Sequence, residues 1–256
     1  MFFRKISKQL KKQNWAAIWI DLVIVVVGVY LGIQVDNWNE ARNDRDRAQV
    51  FAERLQRDLQ TDIDRATMRR AFNVEVLDYG REALDWLESE QRGDGGWSVL
   101  LALFQASQVA PYRQVNATFE EMRSAGELSL IKDPELRGNL SEYYLVATGS
   151  QSDYILRLIP EYRQTIRSLV PSEITRYIWD ACHREFNYDD QELIDCESPT
   201  DVAEIEAVLV QVAEAPDLLP QLRFWMSTLK TANEMLDLNT AAAEGLIAEL
   251  QVEQRR

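Results

Sequence analysis

The chain is poor in the residues that carry most enzyme chemistry. In 256 residues it has one histidine, His183, and two cysteines, Cys182 and Cys196, with 10 glycines and 7 prolines. A lone histidine leaves zinc without the three or four ligands it takes at a recognisable spacing. There is no Gly-x-Ser-x-Gly elbow for a nucleophile. The single glycine cluster, Gly93-Asp94-Gly95-Gly96, follows no strand and leads into no Gly-Lys-Ser/Thr, so it reads as a turn and not as a phosphate loop. Paired carboxylates exist in any chain with 42 acids, but spacing selects none of them. No catalytic residue, cofactor or metal site is therefore expected, and no enzyme. Alternating strand patterns of useful length are also missing, which points to an all-α fold, an antiparallel helical bundle.

Charge is unevenly placed. No acid precedes Asp21, whereas Arg4, Lys5, Lys8, Lys11 and Lys12 do, and the formal net charge of the whole chain is −14. The part after Asp21 is thus strongly acidic. It lacks the clustered bases that a nucleic-acid backbone requires, so no nucleic acid is expected as a partner. A hydrophobic content of 46%, with 7 Trp, 9 Tyr and 8 Phe, is enough for a folded core.

One stretch, residues 14–35, NWAAIWIDLVIVVVGVYLGIQV, is long and apolar enough to cross a bilayer: about twenty residues at ~1.5 Å each span ~30 Å. It exceeds the usual apolar region of a signal peptide and lacks an Ala-x-Ala cleavage pattern, so an uncleaved anchor is expected. The bases ahead of it keep the N-terminal tail, residues 1–13, in the cytoplasm. The expected location is the inner (cytoplasmic) membrane, single-pass, with the C-terminal part periplasmic or otherwise extracytoplasmic. Trp15 and Trp38 stand where interfacial aromatic anchors would. At 100° per residue, Asp21, Gly28 and Gly32 fall within roughly 20° of one line and Ala17 about 40° from it. Gly28-x-x-x-Gly32 is a spacing that lets helix backbones approach closely, so this face is expected to associate with a membrane protein or a second copy, as well as with the bilayer itself. An acid at Asp21 costs roughly 2.5–3.5 kcal/mol at mid-bilayer, less near an interface, and is usually turned toward a protein neighbour.

Residues 36–92 form the juxtamembrane segment and a long stalk or bundle helix. Phe51, Leu55, Leu59, Ile63 and Ala66, then Val76, Leu77, Leu84 and Leu87, recur at helical spacing, too irregularly to predict a coiled coil. The exported helical bundle spans 97–254. Short helices are expected over Trp97–Gln108 and Val115–Ala125, the second with Phe119 and Met122 inward and closed by Gly126. Asp133-Pro134-Glu135 opens another that continues through Tyr143, Tyr144 and Ile155 toward Pro160. Glu161–Glu185 resumes the pattern with Ile174, Ile178 and Trp179 on the buried side. Two further helices cover Thr200–Glu214, with Val202, Ile205, Val208, Leu209 and Val212 on one side, and Pro220–Glu253. Trp225 and Met226 read as core, not as a ligand box. Cys182 and Cys196 suggest a disulfide closing a local loop, with free thiols or a metal site as the alternatives. Asp189, Asp190, Glu192 and Asp195 lack the pattern of a calcium loop and read as a solvated acidic loop.

Two motifs carry a resemblance. Asn37-Trp38-Asn39-Glu40 follows an acid-containing anchor, and Thr118-Phe119-Glu120-Glu121-Met122, Ser124-Ala125-Gly126, Leu130-Ile131-Lys132, Leu136 and Tyr143-Tyr144 follow later. Together they resemble a bacterial family of uncharacterised single-pass membrane proteins, over roughly residues 2–45 and 115–145. Where that family commonly has Glu in the anchor, this chain has Asp21. The resemblance implies a membrane-anchored, mostly helical protein, with Gly126, Leu130 and Ile131 shaping a turn and core, and it brings no activity. The expected function is a membrane-anchored structural or interaction protein. The alternatives are a single-pass subunit of a proton-coupled energy-transducing complex using Asp21, which the Ile20-Asp21-Leu22 entry superficially resembles, or a ligand-sensing accessory subunit whose signal passes through another protein.

Overall fold

Eight α-helices and one two-stranded hairpin account for the regular structure of the described residues, and the fold is all-α. The structure, a computed structural model, describes residues 15–89, 95–110, 112–147, 159–187 and 190–255. In chain order the elements are α1 (Trp15–Glu88), α2 (Gly96–Gln105), α3 (Ala117–Ala125), a 3-10 turn (Glu127–Leu130), α4 (Pro134–Ser141) running into a π-helical turn (Glu142–Ala147), α5 (Glu161–Leu169), α6 (Ser172–Ala181), strands β1 (His183–Asn187) and β2 (Asp190–Leu193), α7 (Val202–Glu214) and α8 (Leu218–Gln254). The chain divides into two compact units, Met1–Phe51 and Ala52–Arg256, and the division falls within α1.

In the first unit, the large apolar side chains from Trp19 to Val35 are all 46–62% exposed. α1 is the one helix among the described residues that is long and apolar enough to cross a membrane.

In the second unit, α1 buries Leu55, Leu59, Asp62, Ala66, Arg69, Asn73, Val76, Gly80, Ala83 and Leu87, an unbroken alternation of four- and three-residue steps. α8 does the same through Leu218, Leu222, Trp225, Leu229, Ala232, Leu236, Asn239, Ala243, Leu246 and Leu250. This is the spacing of a coiled-coil seam. The irregularity expected from the apolar residues alone is therefore corrected: the repeat is strict, but Asp62, Arg69, Asn73 and Gly80 occupy seam positions, and Ile63 sits beside the seam, half-buried.

The two helices run antiparallel. Gln56 Nε2 donates to Gln254 Oε1 at 2.9 Å, Arg70 pairs with Asp237 at 2.7 Å, Asn73 Nδ2 donates to Asn233 Oδ1 at 2.9 Å, and Arg223 pairs with Glu88 at 2.9 Å. Gly80 leaves room for the Met226 thioether, which a Cβ there would displace.

Short helices fill the sides. α2 is apolar around its whole circumference and is buried from Val99 to Gln105, as such a helix must be. Around it pack Phe72, Val76 and Leu87 of α1, Tyr162 and Ile166 of α5, Ile174 and Ile178 of α6, four residues of α7 and the first turns of α8. The Tyr162 hydroxyl donates to the Leu103 carbonyl at 2.7 Å and Trp225 Nε1 to that of Ala106 at 2.9 Å, so both large polar rings are satisfied in the core. Local signals set the helix ends. Asp133 accepts from the Glu135 and Leu136 amides, Asp201 accepts from Glu204, and Gly126 takes a left-handed φ of 74° to close α3.

Four expectations are corrected. The segment after Cys182 is a hairpin and not a loop: β1 and β2 pair antiparallel, with His183 opposite Leu193 and Arg184 opposite Glu192, the latter also ion-paired at 3.0 Å. Polar residues on both faces and a length of four or five residues hid it. The helix opened by Asp133 leaves α-geometry at Glu142, and Ile155 lies outside the described residues. Trp179 is 37% exposed, its ring set edge-on to His183 at 4.7 Å. Val202 is 65% exposed, because α7 begins there and its first turn precedes the packed stripe.

Candidate functional site

The residues that the sequence singles out in the anchor lie on α1 within the first unit. Asp21, Gly28, Gly32 and Trp38 are exposed, and a Cβ at either glycine would meet nothing within 4 Å. Trp15 and Ala17 belong to the same helix, with side chains outside the described residues. From Asp21 to Gly32 this face is exposed, as is every other side of the helix there. In the second unit, Cys182 and Cys196 are joined in a disulfide with Cα atoms 5.3 Å apart, closing the base of the hairpin.

A second arrangement is one that sequence reasoning missed. Asp62 of α1 is 1% exposed. The Val115 amide donates to its Oδ1 at 2.6 Å, and the Tyr143 hydroxyl donates to its Oδ2 at 3.0 Å. One turn earlier, Asp58 accepts from the Thr118 amide at 3.1 Å, at the start of α3. Tyr144 stacks on Phe119, with ring centroids 4.7 Å apart, and meets Tyr143 edge-on. From the other side, Asn239 of α8 donates to the Tyr112 hydroxyl at 3.2 Å.

Burial drives the Asp62 carboxyl up to about 7; the Val115 and Tyr143 hydrogen bonds and Arg65 oppose the rise, and Asp58 adds to it. The tyrosine hydroxyls of Tyr112 and Tyr143 are pushed upward by burial first and by the Asp62 charge next, so they stay protonated. The cluster can therefore take up or release one proton near neutrality. No group of three or more His, Cys, Asp or Glu suited to a metal occurs among the described residues.

The later motif, spread over residues 115–145, is gathered here. Thr118 and Phe119 open α3, Met122 is buried beneath it, and Leu130 and Ile131 are buried after Gly126. The Lys132 and Asp133 amides both donate to Glu253 of α8, at 2.8 and 3.1 Å, and Arg54 of α1 pairs with Glu121. These residues clamp α3, α4 and the π-turn between the two long helices. The sequence did carry one signal for Asp62: an acid standing in a seam position, three residues after Leu59 and four before Ala66. Comparison with protein-family models, with curated proteins and with solved structures gives no match.

Proposed function

We propose that the chain is a membrane-anchored structural or interaction protein without enzymatic activity. Residues 14–35 cross the cytoplasmic membrane, the basic tail faces the cytoplasm, and the acidic second unit works on the other side. The observation that carries this reading is the run of large apolar side chains from Trp19 to Val35, all about half exposed or more. Apolar surface left in water costs roughly 25 cal/mol per Å², and a bilayer removes that cost along the whole run. Association proceeds through the Asp21, Gly28 and Gly32 face, toward a membrane helix of another protein or of a second copy. The open space over both glycines suits close backbone approach. The resemblance of the anchor and of residues 115–145 to single-pass membrane proteins supports the same reading.

Full-length protein recovered from membranes in mild detergent after brief crosslinking tests it. Resistance to alkaline extraction is expected, together with crosslinked partners that are lost in Gly28→Leu and Gly32→Leu and kept in Asp21→Asn. Release by alkaline wash would overturn the anchor. Loss of function in Asp21→Asn with abundance and assembly unchanged would replace the scaffold reading with proton coupling through that acid.

A further inference from the structure

On α5, Arg163 and Arg167 stand one turn apart on the same half-buried face. Arg163 Nη1 donates to the Ser107 carbonyl at 2.7 Å. Arg167 Nε donates to Ser107 Oγ at 3.0 Å, and its Nη2 to Gln108 Oε1 at 2.9 Å. Ser107 and Gln108 are themselves buried, and the chain of donors continues inward: Gln108 Nε2 to Gln105 Oε1, then Gln105 Nε2 to the Cys182 carbonyl, beside the disulfide. The Arg167 guanidinium also lies over the Phe104 ring, 4.7 Å from its centroid, and 5.3 Å from that of Trp179. Two hydrogen bonds and two rings thus hold the Arg167 guanidinium, and one hydrogen bond holds that of Arg163.

Among the described residues, every partner in this arrangement is neutral, and neither arginine forms an ion pair with a carboxylate, although the chain has 42 acids and a net charge of −14. Burial lowers the affinity of both for a proton, and for Arg167 the second cause is the Arg163 charge next to it. Two like charges are therefore withdrawn together from water with only amide, hydroxyl and ring dipoles to balance them. Both side chains are only half-buried, and Nε and Nη2 of Arg163 and Nη1 of Arg167 take no part in these hydrogen bonds. Planar guanidiniums with spare N–H donors match the oxygens of phosphate or carboxylate.

We propose that Arg163 and Arg167, fixed by Ser107, Gln108 and Phe104, form a binding site for an oxyanion, a phosphate or a carboxylate group. The anion supplies the negative charge that the described residues withhold. This inference is independent of membrane association.

The test uses the full-length protein in detergent at pH 7 and constant ionic strength, with inorganic phosphate or acetate replacing chloride. A saturable rise in melting temperature, with binding by calorimetry, is expected for one or both anions. Nanodiscs with and without an acidic phospholipid, in phosphate-free buffer, distinguish a lipid headgroup from a free anion as the source. Arg163→Gln and Arg167→Gln should each weaken the response about tenfold or more, as loss of a charge-assisted contact does. If Arg167→Gln does not fold, Arg163→Gln, whose parent side chain bonds only the Ser107 carbonyl, carries the test. No response to phosphate, acetate or acidic lipid overturns the proposal, as does an equal response in the variants.

Discussion

Asp62 on α1 and the Arg163–Arg167 pair on α5 are all charges withdrawn from water, and the chain treats the two places differently. Around Asp62 the balance is internal: an amide and a tyrosine hydroxyl donate to the two carboxylate oxygens. The carboxyl is raised to about 7, so it can shed its charge at neutral pH by taking a proton. The arginines have no such exit. Burial lowers Arg163 to about 10 and Arg167 to about 9, which still leaves both charged at pH 7. A carboxylate can be neutralised by the solvent's protons, whereas a guanidinium at neutral pH is neutralised only by a counter-charge. The Asp62 region is a closed device of the fold, and the arginine face is open to an outside partner.

The largest expected effect breaks the closed site. In Asp62→Ala the Val115 N–H and the Tyr143 O–H lose their acceptor while remaining buried. Each such orphan costs about 1–3 kcal/mol, so urea unfolding should show a loss of roughly 2–5 kcal/mol. A loss below about 1 kcal/mol would mean that water enters and that the site is not sealed.

Next in size is a pH effect. The Asp62 carboxyl is raised from its ordinary 3.8 to about 7 in the folded chain, so between those values the native state holds a proton that the unfolded state has released. Folding stability therefore falls as pH rises from about 4 to about 7 and levels off above. The arginines contribute no slope in this range, because they stay charged through it. Asp62→Asn keeps an oxygen for the Val115 amide and an amide for the Tyr143 oxygen, and it cannot ionise. It should be more stable than the parent at pH 8, by on the order of 1–3 kcal/mol, and nearly equal to it at pH 4. Unfolding midpoints at both pH values check this, and the same offset at pH 4 and pH 8 would assign the effect to shape instead of charge.

How much of this was legible in the sequence depends on what each residue does. Helices α3 and α4 announced themselves because apolar spacing and capping chemistry coincide, at Gly126 and Asp133, and α7 and α8 through apolar spacing alone. Ile174, Ile178, Phe119 and Met122 were placed inward correctly for the same reason. The seam of α1 was legible only at Leu55, Leu59, Ala66, Val76 and Leu87, because Asp62, Arg69 and Asn73 stand at positions where periodicity looks for apolar groups. What makes them acceptable there is remote in sequence: Val115 and Tyr143 for Asp62, Asn233 for Asn73. The hairpin failed for a related reason, since its faces are polar and only Leu193 points into the core. Arg163 and Arg167 belong to no motif that spacing or composition singles out. Only the folded chain shows Ser107 and Gln108 drawing them inward.

The smallest expected effect supplies the contrast that gives both buried sites their meaning. Arg223 of α8 and Glu88 of α1 pair at 2.9 Å across the same two long helices, with side chains 57% and 46% exposed. Here water solvates both partners, so their attraction is weak and is set against the entropy of holding two long side chains together. A double-mutant cycle on Arg223→Ala and Glu88→Ala should return a coupling below about 1 kcal/mol, shrinking further in high salt. A coupling above about 2 kcal/mol would show that position along the two helices sets the cost of a charge. A small one leaves burial as the cause, and with it the difference between a carboxylate that can discharge and a guanidinium pair that cannot.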